Sequence, residues 1–331
     1  MAQTTPLENP APLEVDDNAD AGSLLDDGMS STASITSSII QYRRENGRTY
    51  HAYKDGKYVM PNDEQEQDRL DLQHNLFLLT FNNSLYLSPA GRDGQPPLRH
   101  VLDVGTGTGI WATDFADEFP EAQVTGVDLS PIQPGFTPPN VTFEIADVED
   151  AWTFGVKFDF IYSRMMTASL ADWPAFFKTS FENLAPGGWI ELADIAPITS
   201  DDGTLTEDSA TFQWVSTLLG GTKLINRPFD GAVKYKAQLG AQGFENVCHV
   251  LYKWPQNTWP KDAKYKELGA MTLENITSGL HGLSAGVYLR ILGWSPEDLD
   301  VLLEKVKMEL KDTKIHSYWP IYVTYGQKPK E

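Results

Sequence analysis

The residues best placed to do chemistry lie in the run Val101-Leu-Asp-Val-Gly-Thr-Gly-Thr-Gly-Ile-Trp111, a short apolar strand that turns through three glycines into a helical pattern. Glycine is needed where the backbone turns sharply and a ligand lies directly against it. Gly105, Gly107 and Gly109 are spaced G-x-G-x-G, so the dinucleotide fingerprint G-x-G-x-x-G fails at its third position, where Ile110 stands. A P-loop fails as well, because the run contains no lysine. Asp103 sits inside the strand, two residues ahead of the first glycine. A carboxylate there repels a phosphate and attracts an ammonium or a sulfonium.

Two more acids extend the pattern. Asp128 ends the next apolar run, Val124-Thr-Gly-Val-Asp, and Asp147 follows the third, at Ile145-Ala-Asp-Val148. An acid at the second strand end suits the two hydroxyls of a ribose. Asp147 can accept from an exocyclic adenine amine while Val148 packs on the ring. Three successive strand ends that each carry an acid describe a site for a cationic nucleoside without phosphates.

Candidates for catalysis are sparser. The histidines are His51, His74, His100, His249, His281 and His316, and none forms an H-x-x-x-H pair. The single cysteine, Cys248, excludes a multi-cysteine zinc or iron–sulfur site and an intramolecular disulfide. No metal is expected. His74 falls on the apolar face of a helix and reads as a hydrogen-bonded core histidine or as a base. His281, in Ser278-Gly-Leu-His-Gly-Leu283, reads as a turn residue inside an insertion and as an acceptor-side base. Arg164 follows the fourth strand, at the edge where an acceptor would approach.

These residues need a scaffold, and the hydropathy pattern supplies one. Apolar runs at 101–104, 123–127, 141–145, 158–162, 189–193, 247–253 and 318–325 predict seven strands. Helical patterns between them, such as Ile110 to Phe119 and Trp173 to Leu184, predict βαβ units and a mostly parallel sheet. Stretches 199–240 and 254–317 exceed this alternation and are expected to form helical lid insertions. The second holds a helix marked by Ser295 as N-cap and Pro296 at the first position. Upstream, Leu70, His74, Phe77, Leu78 and Phe81 recur on one face of a helix whose N-cap is read as Asn62.

The glycine loop, the acid series and the turn Asn183-Leu-Ala-Pro-Gly-Gly-Trp-Ile190 together resemble the class I S-adenosylmethionine-dependent methyltransferases. The segments Tyr42-Arg-Arg-Glu-Asn-Gly-Arg-Thr-Tyr-His51, Gly293-Trp-Ser-Pro296 and His316-Ser-Tyr-Trp-Pro-Ile-Tyr-Val323 are similar to the fungal LaeA-like methyltransferases, which include regulators of secondary metabolism and members with unassigned substrates. The resemblance implies a Rossmann-like α/β fold with a seven-stranded sheet whose last strand is antiparallel. It implies S-adenosyl-L-methionine as cofactor and S-adenosyl-L-homocysteine as product. By position it assigns Asp103 to the methionine ammonium and Gly105, Thr106, Gly107 and Gly109 to the backbone cradle. It further assigns Asp128 to the ribose, Leu129, Asp147 and Val148 to the adenine, and Ser163 to the rim of the site.

Charge narrows the partners. Twenty-six basic against 46 acidic residues give a formal charge of −20, which disfavours duplex nucleic acid and anionic membranes. Residues 1–34 hold seven acids and no Lys or Arg, and read as a disordered acidic tail available to a protein partner. Residues 35–97 read as an N-terminal helical flap, and 98–331 as the methyltransferase domain. Tyrosines and basic residues alternate over 42–58; a folded flap fits them better than nucleic-acid stacking in so acidic a chain. Without a basic-then-apolar leader, a cytoplasmic protein is expected, with the nucleus as second location. Three functions follow: methyl transfer to a small molecule of fungal secondary metabolism, LaeA-like regulation in a nuclear protein complex, and a fold whose transfer activity is lost.

Overall fold

A computed structural model describes residue 11, residues 13 and 14, residues 42–92 and residues 94–331. The expected tail at 1–34 therefore lies outside the described residues except at three positions. There the chain touches the body: the Lys261 amide donates to the Glu14 carbonyl at 2.6 Å, and Lys253 Nζ to the Ala11 carbonyl at 3.4 Å.

The flap opens with a hairpin, β1 (Arg43–Glu45) and β2 (Arg48–Tyr50), turned by Asn46 and Gly47 at positive φ. Helix α1 (Glu64–Thr80) follows. Its N-cap is Asp63, one residue later than expected, because Asp63 accepts from the Glu66 amide while Asn62 is drawn away to accept from the Thr49 hydroxyl. Then come β3 (His100–Val104), α2 (Ile110–Glu118), β4 (Gln123–Asp128), β5 (Val141–Ile145), β6 (Phe158–Arg164), α3 (Trp173–Asn183) and β7 (Leu184–Ile195). A two-residue strand β8 (Thr199–Ser200) precedes α4 (Ala210–Leu224), α5 (Tyr235–Gln242), β9 (Glu245–Pro255), α6 (Ala263–Ala285), α7 (Pro296–Leu310) and β10 (Ser317–Gln327).

All seven expected strands join one sheet in the order β5-β4-β3-β6-β7-β10-β9, to which β8 adds a short edge on β10. Pairing is parallel from β5 through β7, and β10 runs antiparallel to both neighbours. The chain steps outward from β3 to β5 and then restarts on the other side at β6. That reversal between β3 and β6 is where open α/β sheets bind ligands, outside the carboxyl ends.

Both sheet faces are covered. Phe176, Phe177, Tyr235 and Leu239 of α3 and α5 pack on one side against Ile161, Ile190 and Leu192. On the other side, α1, α4, α6 and α7 build a large apolar cluster around Trp214, Trp254, Tyr288 and Trp319. The insertions are helical as expected, with α4 and α5 in the first and α6 and α7 in the second. The flap lies directly on the π-helical turn Gly286–Ile291 that continues α6: a Cβ at Gly286 would come within 2.3 Å of the Val59 carbonyl oxygen, so only glycine permits the approach.

Candidate active site

At the carboxyl edge the three glycines all take positive φ, at 73°, 56° and 81° for Gly105, Gly107 and Gly109. Backbone bonds fix this turn: the Gly105 and Thr106 amides donate to the Val127 carbonyl at 2.9 and 3.0 Å. The Thr106 hydroxyl donates to Asp103 at 2.6 Å, and the Gly107 amide to Asp128 at 2.9 Å. The other Asp128 oxygen accepts from the Ser130 amide. Thus Asp128 holds the loop and still has lone pairs for a ligand. A Cβ at Gly105 would meet Met166 Sδ at 2.2 Å, and one at Gly109 the Phe143 ring at 2.4 Å. Gly126 on β4 makes room in the same way: a Cβ there would lie 2.7 Å from the Phe143 ring and 2.8 Å from the Thr106 hydroxyl.

Burial sets the electrostatics. Asp103 is buried, and desolvation pushes its carboxyl up to about 6, against the pull of the Thr106 hydroxyl. Desolvation raises Asp128 too, opposed by the backbone N–H groups of Ser130 and Gly107. An acid raised by burial gains from any cation that joins it. Asp147 is buried and bonded by Lys57 of the flap, which also reaches Glu149 at 2.9 Å. Lys54 adds an ion pair to Asp150 at 2.8 Å.

Flap and α1 roof a cleft that opens to solvent at its mouth and, with that open space counted, measures about 1120 Å³. Asp103, Gly105, Thr106, Gly107, Asp128, Leu129, Asp147, Val148 and Arg164 line it together. Gly109 stands just behind, as the left-handed cap of α2. Ser163 does not line it: alternation along β6 turns its side chain into the sheet packing, buried and without a partner. His281 does not reach the cleft either. It lies within continuous α6 rather than in a turn, because the glycines beside it serve close helix packing. His74 is buried with both ring nitrogens engaged, Nε2 with Asp114 at 2.9 Å and Nδ1 with Arg164 at 3.2 Å. Desolvation lowers its pKa, and it has no free nitrogen for a base.

A methyltransferase domain family matches residues 72–249, more than half of the chain. The chain belongs to the LaeA-like S-adenosylmethionine-dependent methyltransferases. It is 38% identical to the methyltransferase pytC of Aspergillus terreus, over 99% of this chain and 100% of that one. It is 40% identical to the probable methyltransferase tdiE of Emericella nidulans, over 80% and 82% of the two chains. The protein-methionine methyltransferase laeA of the same organism shares 33% identity over 91% of this chain and 80% of its own.

The methyltransferase also lines its cleft with residues that sequence reasoning missed: Lys57, Tyr58, Glu66, Gln73 and Ile132. Glu66, Leu70 and Gln73 lie at i, i+4 and i+7 on α1, so helical spacing held the signal. Their mixed polarity hid it, since the apolar stripe drew attention to His74, Phe77 and Phe81 instead. Glu66 is buried because Arg69 pairs with it at 2.6 Å and Arg69 in turn donates to Asn275 of α6. Among the described residues no acid, histidine or cysteine group is arranged to hold a metal ion, and no helix is long and apolar enough to cross a membrane.

Proposed function

We propose that this methyltransferase moves a methyl group from S-adenosyl-L-methionine to a small molecule of fungal secondary metabolism by direct in-line transfer. The observation that carries this reading is the roofed cleft with an acid at three adjacent strand ends. Asp103 lies in β3, Asp128 ends β4 and Asp147 follows β5 by two residues, on strands that are neighbours in the sheet. That series of acceptors fits an adenine amine, a ribose and an ammonium in a row, and the glycine turn leaves room beneath them. When bound, the cofactor supplies an activated methyl group on a positively charged sulfur.

The chain's own residues then bind, orient and exclude water. Asp128 and the Gly107 amide hold one another, so the ribose acid is positioned before ligand arrives. Lys57 and Tyr58 of the flap close the cleft from above, which dries the site. His74 and His281 offer no free base at the cleft. An acceptor that ionises without the enzyme's help therefore suits it best. The roof favours an acceptor small enough to fit inside the cleft, and pytC and tdiE are full-length or near full-length relatives.

A second reading is regulation of secondary metabolism in a nuclear protein complex, with protein as acceptor or partner and the N-terminal region as contact. Its support is the 36% identity to the secondary metabolism regulator LAE1 of Cochliobolus heterostrophus, over 87% of this chain and 95% of that one. The test is transfer of label from methyl-labelled S-adenosylmethionine in a fungal extract split into small-molecule and macromolecular fractions. Label in the small-molecule fraction supports the first reading. Label confined to protein replaces it with the second.

A further inference from the structure

A second cavity lies between the C-terminal end of α1, β9 and the first turns of α6. With its open space counted it measures about 490 Å³, and no described residue lines both it and the cofactor cleft. Aromatic rings stand between the two. Arg164 of the cleft lies over Phe77 at 4.9 Å, Phe77 meets Phe81 at 5.6 Å, and Phe81 meets Tyr252 at 5.6 Å. Phe81, Leu87, Tyr252, Tyr265 and Leu268 give the second cavity apolar and aromatic walls.

The polar groups free to meet a ligand there are donors. Lys264 Nζ donates to the Thr80 carbonyl at 3.3 Å and to Asn82 Oδ1 at 2.7 Å, and so caps the end of α1. An ammonium carries three N–H groups, so one is left over. Among the described residues no carboxylate pairs with Lys264, whereas Lys253, on the same cavity, is held by Asp201 at 2.6 Å. The phenols of Tyr252 and Tyr265 form no hydrogen bond with a described residue. Burial raises both above the ordinary tyrosine pKa, so each keeps its proton at neutral pH and can donate it to an acceptor. The nearby acids are turned to main chain. Asp262 accepts from the Tyr265 amide at 3.1 Å, and Glu191 accepts from the Leu87 amide at 2.9 Å. Leu87 therefore offers the cavity its side chain only.

We propose that this cavity binds a small aromatic carboxylate, with the ring against Phe81, Tyr252, Tyr265 and Leu268 and the carboxylate met by the Lys264 ammonium and the two phenols. The uncompensated ammonium sets the sign of the ligand's charge, and the aromatic walls set the shape of the rest. The site stands apart from the cleft, so the proposal does not rest on the cofactor.

The test is ligand-detected nuclear magnetic resonance titration of the full chain with benzoate, benzyl alcohol and benzylamine, three probes of one shape and different charge. Each titration is run with and without saturating S-adenosylhomocysteine. Benzoate is expected to bind about tenfold more tightly than benzyl alcohol, the scale of one charge-assisted hydrogen bond, and benzylamine more weakly than both. S-adenosylhomocysteine should leave benzoate in place. Lys264→Gln keeps donors for Thr80 and Asn82 and drops only the charge, so it should bring benzoate down to the level of benzyl alcohol while benzyl alcohol itself is unchanged. Lys264→Arg should keep the preference, and Tyr265→Phe should weaken benzoate a few-fold. A wild type that ignores benzoate at millimolar concentration overturns the proposal. So does benzylamine binding as well as benzoate, a preference that survives Lys264→Gln, or displacement of benzoate by S-adenosylhomocysteine, which would put it in the cleft.

Discussion

The floor and the roof of the cleft are held by different forces. Backbone hydrogen bonds and glycine geometry lock the floor: Gly105 and Thr106 to Val127, Gly107 to Asp128, and Phe143 wedged against Gly109 and Gly126. Few side chains could be exchanged there without moving main chain. Ion pairs hold much of the roof. Arg48 grips Asp63 with two bonds of 2.5 and 2.7 Å, Arg290 reaches Glu45 at 2.6 Å, and Lys57 and Lys54 bridge to the floor. The pair that faces solvent, Lys54 with Asp150, is screened and individually weak. The contrast assigns recognition of the constant ligand to the floor. It leaves closure, and the choice of acceptor, to elements that can move or be replaced.

The largest effect should come from filling the floor. Gly105→Val places side-chain atoms on Met166 and forces a β-branched residue to a φ of 73°. Binding of S-adenosylhomocysteine should become undetectable by calorimetry while the circular dichroism spectrum keeps its α/β shape. Affinity within a few-fold of wild type would mean that the glycine turn is not the cofactor floor. Next in size, Asp128→Ala removes both the ligand's partner and the tether of the Gly107 amide. It should cost about 1.5–3 kcal/mol of binding, the range for hydrogen bonds to a charged group. An unchanged dissociation constant would take the ribose assignment away from Asp128.

The same division explains what could be read from the sequence. Floor residues announce themselves because the demands on them are local: a glycine triplet after an apolar run and an acid at or beside each of three strand ends. The seven long strands of the sheet follow from short apolar runs for the same reason, whereas the two-residue β8 does not. Roof residues depend on contacts between distant segments. Nothing near Gln73 or Lys57 in the chain reveals that one faces the cleft from α1 and the other meets Asp147 across 90 positions. His281 shows the converse: Ser-Gly-Leu-His-Gly looks like a turn, yet its glycines let α6 lie close to Arg69, Arg48 and Pro61. Ser163 follows a correct strand but falls on the wrong side of its pleat, a matter of register that one residue decides.

A pH titration probes the floor more gently. Burial raises Asp103 to about 6, whereas a bound ammonium favours the ionised carboxylate and lowers that value. Binding therefore releases a proton whenever Asp103 starts protonated. Affinity for S-adenosylhomocysteine should rise with pH up to about 6 and level off above it, falling as much as tenfold per pH unit well below. Asp103→Asn should bind more weakly at pH 8 and lose most of this slope. A wild-type profile flat from pH 5 to pH 8 would separate Asp103 from the ammonium.

The smallest effect should come from the roof, through Lys57→Met. Lys57 is about one-fifth exposed and joins the flap to Asp147 and Glu149, and Glu149 is also held by Arg227 at 2.8 Å. Lys54 still stands 3.9 Å from the buried Asp147 when Lys57 is removed, so the flap loosens while the equilibrium affinity of the floor should move little. The rate is the sharper observable. If ion pairs keep the roof shut, the wild type should release S-adenosylhomocysteine faster as salt rises, because screening weakens each bridge. Lys57→Met should release it a few-fold faster at low salt and respond less to added salt. Stopped-flow dissociation at several ionic strengths measures both. Identical salt dependence in the two proteins would show that apolar contact with α6 and the turn after it, including Val59 against Gly286, holds the roof on its own, and the contrast with the floor would then be one of position rather than of force.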